Sequence, residues 1–513
     1  MSKDQTKNRR GGRSGGRSAR VAARTNPTPV YLPTLHRSVG PMDLLGPEGV
    51  EKIHNAAITI LESIGIEFRD PVALAQWKKF GADVHDQRVR IGREMLMDLI
   101  STVPTDWAYH GRNPNRSTKV GGRDTVFANA YGAPFVYGLD GVRRPSTLED
   151  ARNFFKLAQM SQSMHVPGIL PAEPQDVPVP LRHLELVSAA LTLTDKPIKG
   201  SVLSETAARD TMDMLRIVHG EQFVDENVVV AALLNCNTPL VWDDTMLQSL
   251  RVYAAANQPC LLSPFVLAGA STPASPTGGV ALLIAESLAG MAYSQIIRRG
   301  CPMVLGVAIM GVSMKTGAPM MGSPKPGLMN LLVGQMARFY GVPWRSCTMW
   351  SGSKSPDLQA GFDSANSMWP VLLGGCNFVV HSAGFVEGAL GVSYSKWIHD
   401  SYQLESFHRF FSGLQEENID AILEDISNIG PGGHFLGTDH TRENPMVMNP
   451  LQNNDSFEQW EIEGSANADE VGRKAAKEMI ENYVQPPMPS DQTGSLSEFV
   501  AKRTAEYQSK SDA

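Results

Sequence analysis

The stretch "CTMWSGSKSPDLQAG" (347–361) sets an indole, an ammonium and a carboxylate close together at Trp350, Lys354 and Asp357. It leaves an apolar run and re-enters a helix-like one, a place where a scaffold can present chemistry on a loop. His381 in "FVVHSAG" is a candidate general base, and Glu387 follows shortly after it. Tyr131 closes another apolar run, and Glu286 sits inside the apolar segment "GGVALLIAESLAGMAYSQ". Each has a plainer use. Trp350 can be a packing plug, His381 a satisfied core histidine and Asp357 a helix cap. Glu286 can be a polar contact between helices, since burying it unpaired is costly. Aromatic faces among carboxylates suit a cation, quaternary ammonium above all. Apart from G-R-S-G-G in the Arg/Gly-rich tail (12–16), the sequence contains no G-x-S-x-G; it has no H-E-x-x-H and no close Cys/His pair, and its histidines lack metal-ligand spacing. A hydrolase triad and a metal site are therefore not expected.

What positions these residues is a rhythm. From about residue 125, eight short apolar runs alternate with eight helix-length segments. The runs are 125–131, 165–170, 197–204, 227–235, 258–266, 302–310, 342–350 and 377–385. The helical segments lie near 147–162, 181–194, 205–219, 243–257, 277–299, 326–340, 357–374 and 395–412. Such alternation implies parallel strands with crossover helices, and eight units imply an α/β fold of the (β/α)8 TIM-barrel type. In these barrels the site is built at the C-terminal strand ends. That rule selects Tyr131, Trp350, Lys354, Asp357, His381 and Glu387. Upstream, 47–65 reads as a helix begun by Pro47 and stopped by Gly65, with Val50, Ile53, Ala57, Ile60, Leu61 and Ile64 on one face.

The domain reading is a basic Arg/Gly-rich tail (1–36), an N-terminal cap (37–124), the barrel (125–415), a C-terminal helical extension (416–485) and a linker-like tail with a short helix (486–513). The 513 residues carry a net charge of −7, unevenly spread. Residues 1–24 hold eight Lys/Arg and one Asp, so they contribute +7 and the remainder −14. A segment of that composition cannot bury apolar surface and is expected to be unstructured. Five widely spaced cysteines with no C-x-x-C pair suit a reducing, cytoplasmic setting. No membrane span and no nucleic-acid role are expected.

Two long segments carry a resemblance: "KTGAPMMGSPKPGLMNLLVGQMARFYGVP" (315–343) and "SGSKSPDLQAGFDSANSMWPVLLGGCNFVVHSAGFVEGALGVSYSKW" (351–397). With "GPEGVEKIHNAAITILESIGIEF" and "GPGGHFLGTDHTRENP", they resemble the trimethylamine:corrinoid methyltransferase family over roughly residues 40–485. The resemblance implies a TIM barrel that moves a methyl group from a methylated amine to the cobalt of a separate corrinoid protein. Archaeal trimethylamine enzymes place pyrrolysine before a stretch similar to the present "SGSK"; Trp350 stands there, with Met349 as the second candidate. A family glutamate after "GSP" is Lys325 here. Both differences point to the branch without pyrrolysine, whose substrates are quaternary amines such as glycine betaine.

By this resemblance Trp350 and Tyr131 are expected to wall a cage, and Asp357, Gln359 and His381 to order loop and substrate. Glu286, Lys354 and Glu387 are further substrate-binding candidates. The chain is expected to bind no cofactor of its own. The corrinoid (cobalamin) comes with a cognate partner protein, and the enzyme is expected to be a homo-oligomer. A barrel lyase with His381 as base and a non-catalytic osmolyte-binding protein are the alternatives.

Overall fold

The computed structural model describes residues 31–414, 417–444 and 449–511. Seven barrel strands are regular: Asp124–Phe127, Ile198–Gly200, Val230–Cys236, Cys260–Ala268, Met303–Gly306, Trp344–Cys347 and Phe378–Val380. All neighbouring pairs among the last six are parallel, and Phe378–Val380 returns to pair in parallel with Asp124–Phe127. The second position in the ring is filled by the segment around Val166. It makes one parallel bridge to Ala128, and Lys199 N donates to Gly168 O at 3.4 Å on its other side. The expected strand at 165–170 is thus reduced to a bridge. Pro167 has no N–H to give to a ladder, and Gly168 is left-handed with φ +84°. The ring closes with eight members, a TIM barrel.

The eight crossover helices are Leu148–Met160, Arg182–Leu193, Glu205–His219, Asp244–Ala255, Pro276–Ile297, Pro324–Tyr340, Leu358–Leu373 and Tyr394–Ser412. Most begin on a side-chain cap: Thr147, Ser204, Asp243, Ser275, Asp357 and Ser393 each accept an N–H of the first turn. The fifth helix is apolar on every side. By length and composition it could span a bilayer, yet 89% of its most apolar stretch is buried inside the protein, as befits a core helix.

Helix Pro47–Thr59 ends in a π turn, Ile60–Ile64, where Gly65 N bonds Ile60 O at 2.8 Å. The wider turn rotates Ile64 off the apolar face expected for it, and it is half exposed. Strands Ile66–Phe68, Arg88–Arg90 and Asp83–His85 form a small sheet with Val241–Trp242 from the loop after the fourth barrel strand.

Two additions shape the mouth. The loops after the first and eighth barrel strands join in a sheet, where Phe135–Tyr137 pairs with both Gly391–Ser393 and Arg143–Pro145. Beyond Gly306, strand Ala308–Val312 pairs with Phe265–Ala268 and with Pro319–Met320, so the wall rises higher on that side.

The basic-tail expectation falls on residues 1–30, outside the described residues. Its boundary at 36 changes: Leu35–His36 pairs with the first barrel strand, and Pro33 O accepts from His165 and His408. The C-terminal expectation changes too. In place of a linker with a short helix, Ser490–Ser511 is a 22-residue helix. Arg503 on it donates to Asp210, which also pairs with His183, and Leu496 is buried.

Candidate active site

Side chains alternate across a strand, so residues that pack outward identify their inward neighbours. Gly200 lies against Tyr253 of the fourth helix, which turns Lys199 into the barrel. Trp344 lies against Gly334 of the sixth helix and Gly374 at the C-cap of the seventh, which turns Arg345 inward. Both Lys199 and Arg345 are fully buried. Gly306 makes the room: a Cβ there would strike the Leu262 carbonyl and the Arg345 chain.

The Arg345 guanidinium donates to Val307 O at 2.7 Å, to Cys347 Sγ at 3.1 Å and to Ser263 Oγ; its Nε has no partner among the described residues. Lys199 Nζ makes no hydrogen bond among the described residues and lies 4.5 Å from the centroid of the Tyr131 ring. Burial, and then the Arg345 charge, pull its ammonium down to about 7.

His381 at the end of the eighth strand completes the cluster. Burial first, then Lys199 and Arg345, hold its imidazole well below the usual range, so it is neutral. Its Nδ1 has no partner among the described residues. Its ring stacks on Trp350 (centroids 5.4 Å, planes 19° apart) and tilts against Phe385 at 4.9 Å. The mouth thus has an aromatic wall over a cationic floor. No carboxylate among the described residues hydrogen-bonds Lys199, Arg345 or His381.

The wall is held by backbone. Met349 and His381 are both left-handed, at φ 58° and 61°, a conformation costly for non-glycine residues. Met349 N donates to Ser367 Oγ at 3.0 Å. Met349 O accepts from Lys396 Nζ at 2.7 Å, and that ammonium also meets Ser364 Oγ and Asp400 Oδ2. Asp400 Oδ2 in turn accepts from Gly384 N, so one buried ion pair ties the turn under Trp350 to the turn beside His381.

The remaining expected residues separate. Asp357 caps the seventh helix through Ala360 N at 2.9 Å and accepts from Ser353 and Ser355. Burial raises its carboxyl, but those hydrogen bonds outweigh it and leave the group below its usual range. Gln359 reaches Asp363, which also accepts from Ser351 Oγ at 2.8 Å. Both act within the loop that carries Trp350. Lys354 is exposed, donates to Gly352 O and lines a surface cavity of about 100 Å³ with Tyr137, Ser393 and Asp469. Glu387 is held by Arg143 Nε at 2.9 and 3.0 Å.

Glu286 does not join the mouth cluster. Its two oxygens accept from Leu240 N (2.7 Å) and Thr238 Oγ1 (2.8 Å), supporting the turn behind the fourth strand. Burial pushes its carboxyl up to about 7. Lys325 is exposed. A larger cavity of about 240 Å³, lined by Met160, Tyr402, Glu405 and Met479 among others, lies on the outer face between helices and away from these groups. Among the described residues no group of three or more His, Cys, Asp or Glu is placed to hold a metal ion.

Lys199, Arg345, Lys396 and Asp400 were not among the expected residues. Their signal was a charge inside an apolar run or helix, in "PIKGS", "PWRSC" and "YSKWIHDS".

A closed barrel with its polar cluster at the C-terminal strand ends is an enzyme's architecture. Residues 9–508 match the trimethylamine methyltransferase (MTTB) family, and the chain belongs to it; it is a methyltransferase. It is 35% identical over 468 residues to the glycine betaine methyltransferase of Desulfitobacterium hafniense, covering 90% of this chain and 98% of that one. It is 25% identical over 399 residues to the proline betaine:corrinoid methyltransferase of Eubacterium limosum, covering 75% and 82%. The solved monomethylamine methyltransferase (MtmB) of Methanosarcina barkeri is 10% identical with a TM-score of 0.48, covering 88% of this chain and 96% of that one.

Proposed function

We propose that this enzyme takes a methyl group from a quaternary, betaine-type amine and passes it to a corrinoid carried by a separate protein. The relatives named for glycine betaine and proline betaine support the substrate class. The observation that carries the reading is the wall of Trp350, His381 and Phe385, three stacked or tilted rings at the strand ends where a cation can be held on π faces.

The chemistry asks little of the protein. The corrinoid supplies a Co(I) electron pair that takes the methyl carbon, while the C–N pair returns to nitrogen and leaves a neutral tertiary amine. No proton has to move, so the enzyme needs no acid. It needs to fix the ammonium so that one methyl points out of the mouth, and to exclude water. Trp350 and His381 fix the cation. Asp357, Gln359 and Asp363 hold the loop behind Trp350, and the Lys396–Asp400 pair holds its turn. A neutral His381 with a strongly depressed pKa is a poor base at pH 7, which disfavours the lyase alternative.

The test is methyl-cobalt formation, followed by absorbance, on a corrinoid protein reduced to Co(I). Glycine betaine is expected to give turnover and trimethylamine none. Turnover with trimethylamine and none with any quaternary amine would overturn the reading.

A further inference from the structure

Lys199 has no obvious structural duty. Its ammonium is buried, makes no hydrogen bond among the described residues and lies over the face of Tyr131. Arg345 is equally buried and keeps an unpartnered Nε. Two basic side chains inside one barrel, with no acid among the described residues hydrogen-bonded to either, are unfavourable on their own. An anion arriving with a ligand would answer both.

Their depth adds direction. Lys199 and Arg345 lie within the third and seventh strands, whereas Trp350 and His381 lie past the ends of the seventh and eighth. We infer that Lys199 and Arg345 form a carboxylate site at the floor of the active site, so that the substrate is a zwitterion bound acid end inward, with its quaternary nitrogen against Trp350 and a methyl group facing the mouth.

This rests on the methyl-transfer reading for the outer end only, and it narrows the substrate. Amines that carry a carboxylate a short way from the quaternary nitrogen fit both ends. Choline and tetramethylammonium satisfy the wall but leave the floor unanswered. The tight grip of Arg345 on Val307 and Ser263 makes it the fixed member. Lys199, free of hydrogen bonds, is the member that can turn to meet the acid.

The probe is 3,3-dimethylbutyrate, which has the shape and carboxylate of glycine betaine but carbon in place of nitrogen. It has no cation and no methyl group to donate, so its binding reports the floor alone. Titration calorimetry on the full chain is expected to show binding to the wild type. Lys199→Gln should weaken it by about 10- to 100-fold, the scale of one charge-assisted hydrogen bond. Tetramethylammonium affinity should change less than about twofold in the same variant. Lys199→Met, which removes the buried charge without leaving a hole, is the second variant should Lys199→Gln fail to fold, and the same loss is expected.

No binding of dimethylbutyrate by the wild type, or equal binding by a folded Lys199 variant, overturns the carboxylate site. Methyl transfer from tetramethylammonium together with no dimethylbutyrate binding sinks this inference and leaves the methyl-transfer reading standing. Dimethylbutyrate binding that is lost in Lys199→Gln, with no methyl transfer from any amine, keeps the site and sinks the other reading.

Discussion

Replacing Lys199 by methionine is expected to make the protein more stable, by an amount that depends on pH. The folded ammonium titrates near 7 and the unfolded one near 10.5. Between those values the unfolded chain binds more protons than the folded one, so wild-type stability rises with pH across this window. Below pH 7 both states are protonated and the buried charge costs its full amount. At about 1.4 kcal/mol per pH unit over 3.5 units, that is about 5 kcal/mol, and it fades to nothing near pH 10.5. Methionine fills nearly the same volume with no charge. At roughly 2.1 cal/mol/K per residue of unfolding entropy, about 5 kcal/mol in a chain of 513 residues is a shift of about 4–5 °C. Thermal melts of wild type and Lys199→Met from pH 6.5 to 9.5 read it directly. Other titrating groups contribute equally to both proteins, so the difference isolates Lys199 and its neighbours Arg345, His381, Cys347 and Tyr131. The variant should melt higher at pH 6.5, and the gap should narrow as pH rises. A variant that melts lower by a constant margin at every pH would show that Lys199 is a satisfied structural residue, and the argument for a ligand-answered charge would fail.

Trp350→Ala should weaken glycine betaine binding by about 2- to 30-fold, with Trp350→Phe retaining part of it; unchanged affinity in both would make Trp350 a plug on His381. Asp357→Ala removes the cap of the seventh helix and should cost about 1 kcal/mol of stability, read by denaturant titration, together with a fall in kcat/KM; loss of stability without loss of kcat/KM would detach the loop from catalysis. Deleting residues 1–30 should leave both the melting temperature and methyl transfer nearly unchanged, and a large loss of activity would show that the basic tail takes part.

The barrel was legible because each of its strands is an apolar run bounded by polar turns, from "TVFANAY" to "NFVVHSAGF". The rule that chemistry sits at strand ends then brought Trp350 and His381 together before any contact was known, and the structure stacks them. The floor was not legible. A lone lysine in "PIKGS" looks the same whether it faces water or the barrel axis, and only closure of the ring, with Gly200 against Tyr253, decides between them. Glu286 was misleading for the converse reason: a buried carboxylate in an apolar helix is conspicuous in sequence, but here its charge is spent on the turn at Thr238–Leu240. The last helix was expected to be short, because Leu496 and Arg503 acquire meaning only against a partner surface hundreds of residues earlier.

The turn beneath Trp350 is secured mostly through its backbone, with Ser351 Oγ on Asp363 as an added tie. Ser367 and Lys396 grip the amide and carbonyl of Met349, and the amides of Thr348 and Ser351 reach the carbonyls of Val380 and Phe385. Such a mount behaves as a socket: it specifies where a group projects and leaves open which group that is. If Trp350 walls the cage as proposed, exchange of the residue at 350 alters what the mouth recognises while this backbone mount stays in place.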